Sequence, residues 1–260
     1  MLRGAKRFYQ QAAIAAGEGG FAVLLGGRPV RTPAGGHLVL PTAALAAAVA
    51  NEWLAQAEVL RPETMPLTRL AATALDRIGA HRPAIIDALM DYASNDLICY
   101  RAAEPPDLVA LQAALWQPLI EWAAQKCGAR MGVATGVLPM LQPQRALDGL
   151  RRMVEATSDR QLAALSTLVQ ASGSLIIGLA VLDGHLDAES AAEAALLDER
   201  WQASRWGVDA EAEVRRAEIV EDILSAALFL LLAGDGGGAH RPAPTAADAP
   251  PAAGASEMPR

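Results

Sequence analysis

The β pattern of this chain is confined to one stretch, Phe21–Pro41, and from Thr42 to Ala233 apolar residues recur at helical spacing. That division limits the fold to a short sheet module followed by a long succession of helices. Phe21-Ala22-Val23-Leu24-Leu25 is an apolar run ending at Gly26-Gly27, a pair that supplies the positive φ of a tight hairpin. Arg28–Thr32 is expected to return as a partner strand, with Pro29 at an edge or bulge because it has no N–H to donate. After a turn at Pro33–His37, Leu38-Val39-Leu40 gives a third strand, and the module reads as a small meander.

Thr42 is an N-cap candidate for a helix over Ala43–Val59, and Pro62 and Pro66 then break the chain. The spacing predicts further helices over Thr68–Ile78, Pro83–Ala93, Asp107–Cys127 and Gln144–Ala156. Pro118 is expected to kink or restart the third of these. Leu97–Tyr100 reads as strand-like or as an extended link. Asp159–Ala171 and Ser174–Leu182 flank Gly173, with Ser172 or Ser174 as the cap. Asp187 caps Ala188–Trp206, which stops at Gly207, and Ala210–Ala233 closes the fold. The apolar run Ile223–Ala233 is about half of the ~20 residues that a membrane span needs, so it reads as a buried core helix. From Gly234 the chain becomes Ala, Pro and Gly with little to bury, and residues 234–260 are expected to be a disordered tail.

Hydrophobic residues make up 52% of the chain but aromatics only 4%, so Ala, Leu and Val must fill the core, which favours close-packed helices. A net charge of −7 argues against a nucleic-acid partner, which normally requires a basic face. Cys99 and Cys127 form no CxxC and no cluster of metal-ligand spacing, so no metal and no cofactor is expected, and both read as reduced, partly buried thiols. The basic start Met1–Tyr9 is not followed by an apolar core, so no secretory signal is expected.

Few residues offer chemistry. His37, His81, His185 and His240 lie far apart and read as exposed. The glycine pairs fit turns and match no phosphate-binding motif. Ser172-Gly173-Ser174 does not satisfy GxSxG. Carboxylates cluster at Asp198-Glu199, at Asp209, Glu211 and Glu213, and at Glu218, Glu221 and Asp222. Neighbours on a helix point in different directions, so Asp198 and Glu199 should not face one another as an acid–base pair. A solvated face is the simple reading, and an acidic protein-binding face the functional one. Of five tryptophans, Trp201 and Trp206 stand five apart on one predicted helix with Gln202 and Arg205 between them. Tryptophan and arginine are frequent anchors in protein interfaces.

The stretch Asn51–Leu70 is distinctive without being catalytic. Together with other segments it resembles one family, the assembly chaperones of F₁-ATPase that attend the α subunit in mitochondria and α-proteobacteria. The matching segments are Lys6-Arg7-Phe8-Tyr9, Gly27–Pro33, Asn51-Glu52-Trp53 with Gln56, Thr64–Leu70 running on to Asp76-Arg77, Asp96–Arg101, Trp116–Leu119, Leu197–Gln202 and Trp206-Gly207. The resemblance implies an α+β fold, with a small N-terminal β-meander and α+β domain (residues 1–65) before a C-terminal orthogonal helical bundle (66–233). It implies a chaperone, not an enzyme, that holds the unassembled F₁ α subunit until a β subunit replaces it. Carried over by position, Glu199 is the expected partner-binding residue, with Asp198, Trp201, Gln202, Trp206 and Gly207 around it. Trp53, Arg69, Asp76, Asp96 and Arg101 are expected to be structural. A carboxylate hydrolase at Asp198–Glu199 and a general holdase are the competing readings. With the Lys6 motif so close to Met1, the expected compartment is a bacterial cytoplasm, without membrane insertion.

Overall fold

The computed structural model describes residues 5–136, 138–207 and 209–235. The chain folds as α+β, a small antiparallel sheet near the N-terminus followed by helices. The central strand is β2 (Gly20–Leu25), and it pairs along its whole length with β1 (Ala12–Gly17), from Ala12↔Leu25 to Gly17↔Gly20. β1 departs from the sequence expectation. Its Ala-rich string has no strand signature of its own, and the neighbouring strand makes it one by supplying the ladder.

The chain reverses at Gly26 and Gly27, with φ of 54° and 82°, into β3 (Arg28–Pro29). β4 (Val39–Leu40) then pairs with β2, not β3, through Phe21↔Leu40 and Ala22↔Val39. With β1 on one side of β2, β3 and β4 share the other edge, so the expected meander is instead one interrupted strand. The loop between them is pinched by the bridge Arg31↔His37. A Cβ at Gly20 would lie 2.2 Å from the Leu40 carbonyl oxygen, which is why β4 can approach only a glycine there.

α1 (Ala43–Leu54) is capped by Thr42, whose hydroxyl accepts from the Leu45 N–H at 3.1 Å. It ends before the expected Val59 because Val59 leaves to pair with Lys6. α2 (Pro66–Thr73) runs through a π turn, Ala74–Ile78, straight into α3 (Gly79–Ser94). The expected break before Pro83 is absent: Gly79 keeps helical angles (φ −57°, ψ −43°), and Ile78, Ile86 and Leu89 are all buried.

Leu97–Cys99 forms a 3₁₀ turn, not a strand, and leads into β5 (Tyr100–Arg101), which lies parallel to β6 (Ala134–Thr135). α4 (Pro106–Cys127) passes through Pro118 without restarting. α5 (Gln144–Glu155) and α6 (Asp159–Ser172) follow, and α6 starts with a capping box between Ser158 and Gln161. α7 (Leu175–Leu182), capped by Ser174, is buried at every position and forms the centre of the helical region.

The expected single helix from Ala188 to Trp206 is two, α8 (Ala188–Ala195) and α9 (Leu197–Trp206), separated at Leu196. No Gly or Pro marks that break. Leu196 leaves helical angles (φ −102°, ψ 12°) while its side chain stays buried. α10 (Ala210–Ala233) is capped by Asp209 and ends at Gly234, φ 73°. Asp235, expected to belong to the tail, takes part in the fold, because Arg160 donates to its carboxylate at 2.7 Å. The rest of the expected tail, with His240, lies outside the described residues. No described helix is long and apolar enough to cross a membrane.

Candidate functional site

α9 is pinned to α4 at both ends. Near its start the Asp198 carboxylate accepts from the Gln112 side-chain amide at 2.8 Å. Gln112 is buried, and its carbonyl oxygens accept from the Arg101 guanidinium at 2.6 Å and from the Ala102 N–H at 2.7 Å. Arg101 lies over the Trp116 ring, 5.3 Å from its centroid, and the Trp116 indole N–H donates to the Ala194 carbonyl at 2.9 Å. Asp198 therefore faces into the helical region. Further along, the Trp201 indole N–H donates to Asp107 at 3.2 Å, and Arg205 stacks over Trp201 while pairing with Asp107.

The other side of α9 faces solvent. Glu199 is half-buried and reaches α10, where Arg215 meets it at 3.4 Å. Gln202 is exposed. Trp206 stands 75% exposed with its edge against Trp201, ring centroids 5.7 Å apart. Gly207 ends the helix at a φ of 92°, a left-handed value that suits glycine. Asp198 and Glu199 thus diverge, one toward α4 and one toward α10.

The carboxylates with raised proton affinity lie elsewhere. Asp96 is fully buried, and burial lifts its pKa to about 6 against the opposing pull of hydrogen bonds from Ser174 and the Ile176 and Ile98 N–H groups. It caps two segments at once, the 3₁₀ turn through Ile98 at 3.3 Å and α7 through Ile176 at 3.1 Å. Burial also raises Glu52, which caps α2 by accepting from the Leu67 and Thr68 N–H groups at 2.7 and 2.8 Å. Asp76 accepts from the Ala34 N–H at 2.9 Å and ties the pinched loop to the π turn. Trp53 is buried, with Tyr9 edge-on at 5.9 Å and the Tyr9 hydroxyl donating to the Trp53 carbonyl. Arg69 is exposed and lines a polar crevice of about 270 Å³ with Thr167, Gln170, Arg215, Glu218 and Asp222. Both cysteines are buried, and burial pushes Cys99 up to about 12 and Cys127 to about 11.

A family model described as ATP12 chaperone protein matches residues 6–124. The crystal structure of Atp12 from Paracoccus denitrificans is similar with a TM-score of 0.81 and 43% identity, over 88% of this chain and 98% of that one. The chain belongs to the ATP12 chaperone family. The Atu1473 protein of Agrobacterium tumefaciens is similar at 40% identity and a TM-score of 0.80, over 88% of this chain and 85% of that one. Protein atp12, mitochondrial, of Schizosaccharomyces pombe is 25% identical over 237 residues, which is 86% of this chain and 81% of that protein. The ATP12 family model stops at residue 124, before α9, whereas the likeness to the bacterial structure extends over most of the chain.

One surface of this ATP12 family member escapes the sequence reading. The run Ile223–Ala233 is not a buried core helix, because Leu224, Leu228 and Leu231 are 37%, 44% and 61% exposed. A segment that is apolar all round gives no sign of which face is covered. The available signal was its position after the acidic first half of α10, which already argued for a surface helix.

Proposed function

We propose that this protein is a chaperone for assembly of the F₁ sector of ATP synthase, binding the unassembled α subunit and shielding its β-facing interface until β replaces it. The reading rests on membership of the ATP12 chaperone family. The observation that carries it to a surface is Trp206, 75% exposed beside Trp201 at the end of a helix whose Glu199 also looks outward. An aromatic anchor with a charged neighbour on a rigid helix suits protein recognition. Asp107 and Gln112 hold that helix in place from behind, so Glu199, Gln202 and Trp206 form the contact face and Asp198, Trp201 and Gly207 set its geometry.

An orphan subunit exposes an interface built for burial, and large obligate interfaces are apolar. Covering that interface suppresses aggregation. Release by exchange requires the chaperone contact to be weaker than the αβ contact that follows. The carboxylate-hydrolase reading gains no support, since Asp198 and Glu199 diverge and the raised carboxylates Asp96 and Glu52 are helix caps. The compartment assigned by this reading is the bacterial cytoplasm.

The test is suppression of aggregation of isolated F₁ α subunit. Wild-type protein is expected to suppress it without ATP, and Glu199→Lys to fail while keeping the wild-type circular dichroism and Tm. Full suppression by the variant removes Glu199 from the contact face. No effect of the wild-type protein on the α subunit removes the reading itself.

A further inference from the structure

β1 is an outer strand of the sheet, paired with β2 on one side and with no strand among the described residues on the other. The Gly26 N–H donates to the Gln11 carbonyl at 3.0 Å, so Gln11, Ala13, Ala15 and Gly17 direct their backbone groups at β2. Ala12, Ile14 and Ala16 therefore hold their N–H and C=O groups outward, and none of these has a partner among the described residues. Native edges are usually blunted by Lys, Pro or a bulge. Residues 10–17 contain no charge and no proline, and the β1–β2 register is unbroken. Ile14 is the one large side chain of the strand. It stands across from the buried Val23 on the core-facing side of the sheet, yet it is 40% exposed, since the sheet ends beside it.

We infer that β1 pairs antiparallel with β1 of a second copy, about a two-fold axis at Ile14. The sequence selects both the partner and the register. Ala12-Ala13-Ile14-Ala15-Ala16 reads the same in both directions. With Ile14 opposite its mate, Ala12 meets Ala16 and Ala16 meets Ala12, and every outward N–H of each copy finds a carbonyl of the other. Sliding the strands by two residues strands some of these groups and parts the isoleucines. Ile14 and its mate share the core-facing side, with Cβ atoms about 4.5–5.5 Å apart, and each covers the other. Beyond the palindrome Gln11 faces Gly17 and Gln10 faces Glu18, so no like charges meet. α1 packs across β1 and β2, and its one charged residue, Glu52, is occupied in capping α2, so the two α1 helices flank the axis without repulsion. The pair is isologous and closed, and it leaves no β1 edge open.

This inference goes beyond the client reading and stands on β1, not on α9. A foreign strand gains the same main-chain bonds, but selection in strand addition comes from pockets for alternate side chains. A strand of Ala and Gly around one Ile has no such pockets. Self-pairing needs none, because symmetry supplies the matching residue. The net charge of −7 on each copy acts at long range and is screened beyond about 8 Å at physiological salt. The contact is short beside the ~1,200–2,000 Å² of stable interfaces, so association is expected near about 0.1 mM.

Sedimentation equilibrium of the full-length chain is expected to show monomer passing to dimer around that concentration. Ile14→Pro removes one outward N–H and leaves the β1–β2 bonds, since the Ile14 N–H does not point at β2. The variant is expected to keep the wild-type circular dichroism and to need at least about tenfold more protein to dimerise. Cysteine variants test the register without a proline. Cys99 and Cys127 are buried, so an introduced thiol is the accessible one. Ile14→Cys is expected to give a disulfide-linked dimer on mild oxidation, because Cα atoms of a hydrogen-bonded pair lie about 5.5 Å apart. Ala12→Cys or Ala16→Cys alone is expected to stay monomeric, and the two combined to cross-link. Wild type that remains monomeric at about 1 mM, tenfold above the expected range, overturns the inference. So does a dimer that persists unchanged in Ile14→Pro, or one cross-linked by Ala12→Cys alone and not by Ile14→Cys. A monomeric wild type whose Ile14→Pro variant loses suppression of α-subunit aggregation assigns the edge to a client strand and overturns the second copy as its occupant.

Discussion

The side-chain amide of Gln112 donates to the carboxylate of Asp198 at 2.8 Å, across 86 residues of sequence, and joins α4 to the first turn of α9. One position later, Glu199 turns to the exposed Arg215 on α10. Two neighbouring acids thus have opposite duties, one internal and one at the surface.

Asp198→Ala is expected to destabilise, because it leaves the buried Gln112 amide without its acceptor, at a cost of about 1–3 kcal/mol. Glu199→Lys loses one surface ion pair and should change stability by less than about 1 kcal/mol. Urea unfolding of both variants checks the contrast, and a larger loss for Glu199→Lys would contradict it.

The two most buried tryptophans are expected to respond differently to loss of their indole N–H. Trp116 donates to Ala194, whereas the Trp53 N–H is buried without a partner. Trp116→Phe leaves the Ala194 carbonyl unpaired and should cost about 2–4 kcal/mol, and Trp53→Phe, which removes an unsatisfied donor, about 1–2 kcal/mol. Trp53→Arg places a charge in the same apolar site and is expected to cost more than about 4 kcal/mol. The order of the three urea midpoints is the measurement.

Gly149 on α5 lets that helix approach the end of α4. A Cβ there would stand 2.4 Å from the Cys127 carbonyl oxygen, a backbone atom that cannot swing aside. Gly149→Ala is therefore expected to destabilise by about 1–3 kcal/mol despite its better helix propensity, seen as a lowered Tm.

Asp96 makes stability depend on pH in a direction opposite to most carboxylates. Its folded pKa of about 6 lies above the unfolded value of about 3.9, so the folded state holds the proton more tightly between those values. The Asp96 contribution to stability therefore falls as pH rises through that window, by about 2–3 kcal/mol in total. Asp96→Asn is expected to be less stable, since its amide N–H₂ meets a backbone donor, and to lose this part of the pH slope. Unfolding free energies measured from pH 4 to pH 7 for both proteins check the sign, and a steeper fall in the variant would contradict it.

Much of the helical framework was legible because its punctuation is local. Thr42, Ser174 and Asp187 accept from backbone N–H groups three residues on, and Gly207 stops its helix with positive φ. The hairpin at Gly26-Gly27 was legible for the same reason. The misread elements depend on distant partners. β1 is a strand because β2 lies beside it, β4 joins β2 because Gly20 allows a close approach, and α8 parts from α9 where Leu196 is drawn inward. At the candidate site, the resemblance set Asp198 beside Glu199 as one expected partner-binding group, and the inward turn of Asp198 was not legible, since its partner Gln112 carries no mark of that role.

By itself the sequence determined an α+β protein of short strands and Ala- and Leu-rich helices, capped where short polar side chains or glycines stand. Those features act within a few residues, so a one-dimensional reading contains them. Only the tertiary structure decided which face of each helix is covered. Along Ile223–Ala233 every side suits a core, and the fold buries one side while leaving Leu224, Leu228 and Leu231 in water. Exposure is a property of what packs nearby in space, and a one-dimensional reading does not contain it.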